Sequence, residues 1–75
     1  MRITVKLIGG LAHRFGAGER EQEVPPGTTA GDLLAALGIS DPRTVITTRN
    51  GWGIAPEEEV AEGDRILVSP PFSGG

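Results

Sequence analysis

Side chains that usually do chemistry are sparse in this chain of 75 residues, which has one histidine and no cysteine. Without cysteine there is no thiol nucleophile, no thiolate metal site and no disulfide. His13 would have to recruit scattered carboxylates to hold a metal, so none is expected. Ser40, Ser69 and Ser73 lack a convincing base for a hydrolytic triad. Gly9-Gly10 follows a strand-like run, but no Gly-Lys-Ser/Thr follows it, so neither a phosphate-binding loop nor a dinucleotide fingerprint is present. What remains is the ending Pro70-Pro71-Phe72-Ser73-Gly74-Gly75. Pro70-Pro71 cannot extend a sheet and favours a polyproline II path that directs the following residues away from the body. Four residues beyond it reach roughly 13 Å when extended. Gly74 and Gly75 have no side chain to block a narrow tunnel and adopt dihedral angles closed to other residues. A thin carboxylate of this kind, at Gly75, suits insertion into a partner's active site. The same residues also read as an ordinary frayed terminus, and the residues by themselves leave both readings standing.

Size and charge narrow the remaining classes. A chain of this length is one domain, and it buries only about 60% of the surface that its unfolded form exposes. That leaves little room for a deep substrate cavity, so a carrier, an adaptor or a subunit of something larger is expected, and not an enzyme in its own right. The net charge is −3, which argues against nucleic acid as a partner, since that calls for a basic stripe. No stretch approaches the roughly 20 apolar residues of a membrane span. Met1-Arg2-Ile3-Thr4-Val5-Lys6 enters a strand pattern directly, with no apolar signal core. With no disulfide to staple so small a domain, a cytoplasmic location is expected. Glu57, Glu58, Glu59, Glu62 and Asp64 cluster late in the chain. They read as a solvated loop or, alternatively, as charge that steers the protein toward a basic partner surface.

The elements that must position the ending are legible from periodicity. From Arg2 to Ile8, apolar Ile3, Val5 and Leu7 alternate with Arg2, Thr4 and Lys6, as in a half-buried strand. Arg20 to Val24 reads as its antiparallel partner across a long connection, stopped by Pro25-Pro26-Gly27. A helix is expected from about Ala30 to Leu37. Thr28 or Thr29 is its cap, Asp32 completes a capping box, and Ala30, Leu33, Leu34 and Leu37 form one apolar stripe. Gly38 is placed for a left-handed ending with Ile39 behind it. Gly31 weakens the helix by roughly 1 kcal/mol relative to alanine, so packing has to hold it. Ser40-Asp41-Pro42 is a loop, and Thr44 to Arg49 is rich in β-branched residues and reads as a strand. Asn50-Gly51 is a hairpin turn, and Trp52 to Ala55 starts a return strand. Arg65 to Ser69 is the last strand, with Ile66 and Val68 on one face and Leu67 on the other. Strand, strand, helix and three more strands make an α+β layer arrangement.

Several stretches carry a family resemblance: Ile3-Thr4-Val5-Lys6-Leu7, Pro26-Gly27-Thr28-Thr29 leading into Asp32-Leu33-Leu34-Ala35-Ala36-Leu37-Gly38, Arg49-Asn50-Gly51, Glu62-Gly63-Asp64-Arg65 and the ending itself. In this order, over nearly the whole chain, they resemble the MoaD/ThiS family of sulfur carriers. The resemblance implies a ubiquitin-like β-grasp domain over residues 1–71, with a small mixed sheet packed against one main helix, followed by a flexible diglycine tail over 72–75. It implies that an ATP-dependent activating enzyme of the MoeB/ThiF type adenylates Gly75, which is then converted to a thiocarboxylate, while Gly74 lines the partner's tunnel. The carrier itself holds no cofactor. The Pro-Pro-x-Ser-Gly-Gly ending looks more like MoaD, the small subunit of molybdopterin synthase, whose partner is a MoaE-like subunit, than like ThiS, which serves thiazole synthase. Carriers for tungsten cofactor, tRNA thiolation or cysteine synthesis are related, and a protein modifier or a non-reactive interaction module are further alternatives. Family members dock through an apolar patch on the sheet near the tail. Phe72 is the first candidate anchor there, flanked by Pro71 and Ser73, although it would also suit packing back onto the sheet edge. Leu67 is a second candidate. Trp52 suits interface and core equally, and Leu11 and Phe15 are expected in the core.

Overall fold

Every second residue of the first strand is sealed from water: Ile3, Val5 and Leu7 are 1%, 3% and 4% exposed. A computed structural model of the chain describes residues 1–11 and 18–70. Its strands are β1 (Arg2–Leu7), β2 (Glu19–Glu23), β3 (Ile46–Arg49), β4 (Trp52–Gly53) and β5 (Arg65–Ser69), with the helix α1 (Ala30–Ala36) between β2 and β3. They form one sheet in the order β2-β1-β5-β3-β4. β1 and β5 run parallel at its centre, and the other neighbours are antiparallel. This is the expected α+β arrangement of a mixed sheet against one main helix.

The core lies between the sheet and α1. Ile3, Val5, Leu7, Ile66 and Val68 from the two central strands meet Ala30, Leu33 and Leu34 from the helix, and Val24, Ile39, Ile54 and Val60 close its margins. Leu11 packs against this cluster as expected, half-buried. The helix is short and is held at both ends by local chemistry. The Thr29 hydroxyl accepts from the Asp32 amide at 3.1 Å, and the Asp32 carboxylate accepts from the Thr29 amide at 3.0 Å, completing the capping box. At the other end Gly38 has φ 91°, with Gly38 N–H donating to Ala35 and Ile39 N–H to Leu34, both at 2.9 Å. That is a Schellman ending. Gly31 has a packing reason for its place in the helix. Its N–H donates to the Pro56 carbonyl at 2.8 Å, and a β-carbon there would lie 3.1 Å from the same oxygen. Glycine lets the loop approach and satisfy helix donors that have no partner within the helix.

Two expected strands are shorter than the sequence suggests. Pro42–Thr44 is a turn of 3-10 helix, so β3 begins at Ile46 and not at Thr44. The Asp41 carboxylate caps that turn by accepting the Arg43 N–H at 3.0 Å, and Pro42 supplies the fixed φ of a first helical residue. β4 is only two residues long, because the chain leaves the edge at Ala55, whose N–H donates to Glu58 Oε2 at 2.7 Å in a tight turn.

Candidate functional site: the open sheet face and the exit of the chain end

The last strand in the chain is also the central one. β5 lies between β1 and β3 and delivers the chain to Pro70. The exit is braced by β1: Ile8 N–H donates to the Val68 carbonyl at 3.1 Å. Gly9, at φ 62°, passes so close that a β-carbon there would sit 3.4 Å from Pro70 Cγ. A side chain at residue 9 would be strained by its backbone and would lie against Pro70. Pro71, Phe72, Ser73, Gly74 and Gly75 lie outside the described residues, as do His13 and Phe15.

The face of the sheet turned away from α1 has no other element of the described chain packed on it. Alternation puts Arg2, Thr4 and Lys6 of β1 there, with Arg65, Leu67 and Ser69 of β5. The β3–β5 register adds Ile46 opposite Ser69 and Thr48 opposite Leu67. Leu67 is half-buried and Ile46 is 48% exposed. Thr4, Lys6, Thr48, Arg65 and Leu67, with the Asn50-Gly51 turn, line an open depression of about 490 Å³, and Ile46 lies outside it. Leu67 therefore sits where a docking contact is expected. The sequence placed Lys6 on the outward side of its strand, but did not bring Lys6, Arg65 and Ile46 together with Leu67 on one face. The alternation of β3 held the signal for Ile46, but a strand thought to begin at Thr44 left its outward residues unsettled.

Trp52 is 81% exposed, which removes the core alternative for it. It does not join Leu67. The β3–β4 register pairs Trp52 with Arg49, which in turn pairs with Ile66 on the helix-covered side. Trp52 and Leu67 thus belong to opposite sides of the sheet, and one flat surface cannot use both. The Asn50-Gly51 turn that throws Trp52 outward has positive φ at both residues, 53° and 90°, as a type I′ hairpin requires.

The acidic cluster divides in the same way. Asp64 is 7% exposed, contrary to either expectation for it. Its carboxylate accepts from Ala61 N–H at 2.7 Å and from the Asn50 amide at 3.2 Å, while the Asn50 carbonyl oxygen accepts from Arg65 N–H at 2.9 Å. These bonds tie the hairpin turn to the start of β5. Glu58 and Glu62 likewise accept backbone amides, from Ala55 and Arg2. On the exposed loop before β3, the Arg43 side chain hydrogen-bonds Asp41 and holds its carboxyl below the usual carboxylate range.

The fold agrees with solved relatives. The small archaeal modifier protein SAMP1 of Haloferax volcanii is 28% identical over 100% of both chains, with a TM-score of 0.79. A putative molybdopterin converting factor subunit 1 of Pyrococcus furiosus is 23% identical, over 96% of this chain and 99% of that one, with a TM-score of 0.82. Subunit 1 of the molybdopterin-converting factor of Helicobacter pylori, solved in complex with subunit 2, is 18% identical over 100% of both chains, with a TM-score of 0.67. These likenesses define a ubiquitin-like β-grasp protein. A model of the ThiS family matches residues 5–75, nearly the whole chain. The protein belongs to the ThiS family, within the ubiquitin-like sulfur carriers and modifiers. No helix among the described residues is long and apolar enough to cross a membrane.

Proposed function

We propose that this protein is a cytoplasmic sulfur carrier, not itself a catalyst, and that its reactive group is the carboxylate of Gly75. The observation that carries the reading is the ThiS-family match extending through Gly74-Gly75. A carboxylate is a poor acyl donor because its leaving group is poor. On the activating enzyme, a Gly75 carboxylate oxygen attacks the α-phosphorus of ATP and pyrophosphate leaves. Hydrosulfide then attacks the carbonyl carbon of the acyl-adenylate, AMP leaves with the bonding pair, and loss of the thiol proton gives the thiocarboxylate. Sulfur chemistry of this kind needs no cysteine in the carrier. The open face, with Leu67 and Ile46, supplies the docking surface, and Phe72 extends it toward the partner's tunnel with Pro71 and Ser73. Trp52 lies outside that surface. The Pro-Pro-x-Ser-Gly-Gly ending favours molybdopterin synthesis as the pathway served, with a MoaE-like subunit accepting the sulfur.

The test incubates the protein with an activating enzyme, ATP and sulfide and reads the intact mass. The reading predicts a mass gain equal to the exchange of one oxygen for sulfur at Gly75. An unchanged mass, with the same enzyme charging a known carrier, would contradict it. The likeness to SAMP1 favours a second use of the same terminus, conjugation to lysines of other proteins. Peptides bearing Gly75 in isopeptide linkage would reveal that use.

A further inference from the structure

The depression on the open face is lined by cations, although β2 sets Glu19, Glu21 and Glu23 along one edge of the same face. The chain carries a net charge of −3, yet the depression on this face is lined by Lys6 and Arg65 and by no carboxylate. The two cations are diagonal neighbours on parallel strands, because Thr4 pairs with Arg65 and Lys6 with Leu67. Thr4 and Thr48 contribute hydroxyl groups to the same depression, and Leu67 forms part of its wall. The neighbouring anions stand on β2: Glu21 and Glu23 pair with Arg2, at 3.6 and 3.4 Å, and Glu19 reaches Arg65 of the depression. Glu19 is the cross-strand partner of Lys6 on the neighbouring strand, and its Oε2 lies 3.9 Å from an Arg65 guanidinium nitrogen. Both side chains are well exposed, at 65% for Arg65 and 46% for Glu19, so this contact is weak and readily exchanged.

We infer that the open face recognises an acidic side chain of the protein partner, an Asp or Glu that enters between Lys6 and Arg65 beside an apolar residue packed on Leu67. The inference rests on the docking reading above and names the chemistry of that partner. Arginine offers a fork of donors matched to a carboxylate, and lysine adds a point charge. Glu19 stands in for the partner's carboxylate in the free protein. It weakens binding by neutralising the two cations until the partner's acid takes its place. The rest of the acidic molecule repels an acidic partner at long range, so this local pair sets the register of docking.

The experiment measures association of the full chain with its activating enzyme by calorimetry, at about 50 mM and about 300 mM salt, between which the screening length falls by a little more than half. Reversing both charges, with Lys6→Glu and Arg65→Glu, is expected to weaken binding about tenfold or more and to invert its salt dependence, the variant binding better at the higher concentration. Glu19→Gln has the opposite expected sign and tightens binding a few-fold. Leu67→Ser weakens binding equally at both salt concentrations. Glu19 is exposed on an edge strand, so its variant reports even where the double reversal unfolds. Loss of binding with Leu67→Ser, but none with charge reversal and no gain with Glu19→Gln, overturns the acidic partner and leaves the docking face intact. Tighter binding on charge reversal means a basic partner and overturns the inference. Absence of binding by the unaltered protein overturns both readings together.

Discussion

The two faces of the sheet are built from the same strands and serve opposite ends. On the covered face Ile3, Val5, Leu7, Ile66 and Val68 are all within 4% of full burial. On the open face, one residue along, stand Thr4, Lys6, Arg65, Leu67 and, from β3, Ile46, with no packed neighbour in the described chain. Period-two alternation makes this division possible, because each strand carries scaffold and recognition in alternate residues. A domain this small has no interior to spare for a cavity, so recognition has to be on a surface. The open face is the large one, and the central strand that floors it is also the strand that delivers the chain end.

The comparison can be broken most forcefully by trading equivalent leucines. Leu34→Ala on the helix, 2% exposed, should cost about 2–5 kcal/mol in urea unfolding. Leu67→Ala, half-buried on the open face, should cost about 1 kcal/mol or less. Equal losses would mean that the open face is structural. Asp64→Ala comes next. It strands the Ala61 N–H and the Asn50 amide at the corner and should cost about 1–3 kcal/mol. Proton exchange should accelerate at the Ala61 amide, with slower exchange retained in α1. Trp52, the only tryptophan in the chain, should show a red-shifted emission that acrylamide quenches freely, and Trp52→Ser should change stability by no more than about 0.5 kcal/mol. A blue-shifted emission would mean that Trp52 is covered in solution. The smallest effect concerns Asp41. Its carboxyl should titrate by NMR below the usual carboxylate range, and Arg43→Gln should bring it back. The sign follows from a folded-state value that is lowered: the stabilisation is present above the unfolded value and is lost as pH falls through the folded one.

Local order was legible in the residues, and long-range approach was not. The Thr29–Asp32 box, the Gly38-Ile39 ending and the Asn50-Gly51 turn depend on neighbours within a few positions, and the structure holds all three. The alternation of β1 and β5 also identified which side chains point inward. Gly31 looked like a weakness because its partner, the Pro56 carbonyl, is remote in sequence. Asp64 looked like one more surface acid because one of the two groups that satisfy its buried carboxylate, the Asn50 amide, comes from another hairpin. The cationic depression arises only when β1 and β5 pair in parallel and bring Lys6 near Arg65. For Trp52, periodicity left core and interface level. The register of a two-residue strand put it at an edge, on the side away from Leu67.

The proposed reactive group is an unhindered main-chain acid at Gly75, presented by a body that takes no part in the chemistry. Its most direct test is sulfur loading of a variant carrying one alanine appended behind Gly75, measured by intact mass beside the unaltered protein under protease-free conditions. The unaltered chain should take up one sulfur atom and the extended chain none. Equal loading of both would contradict the account.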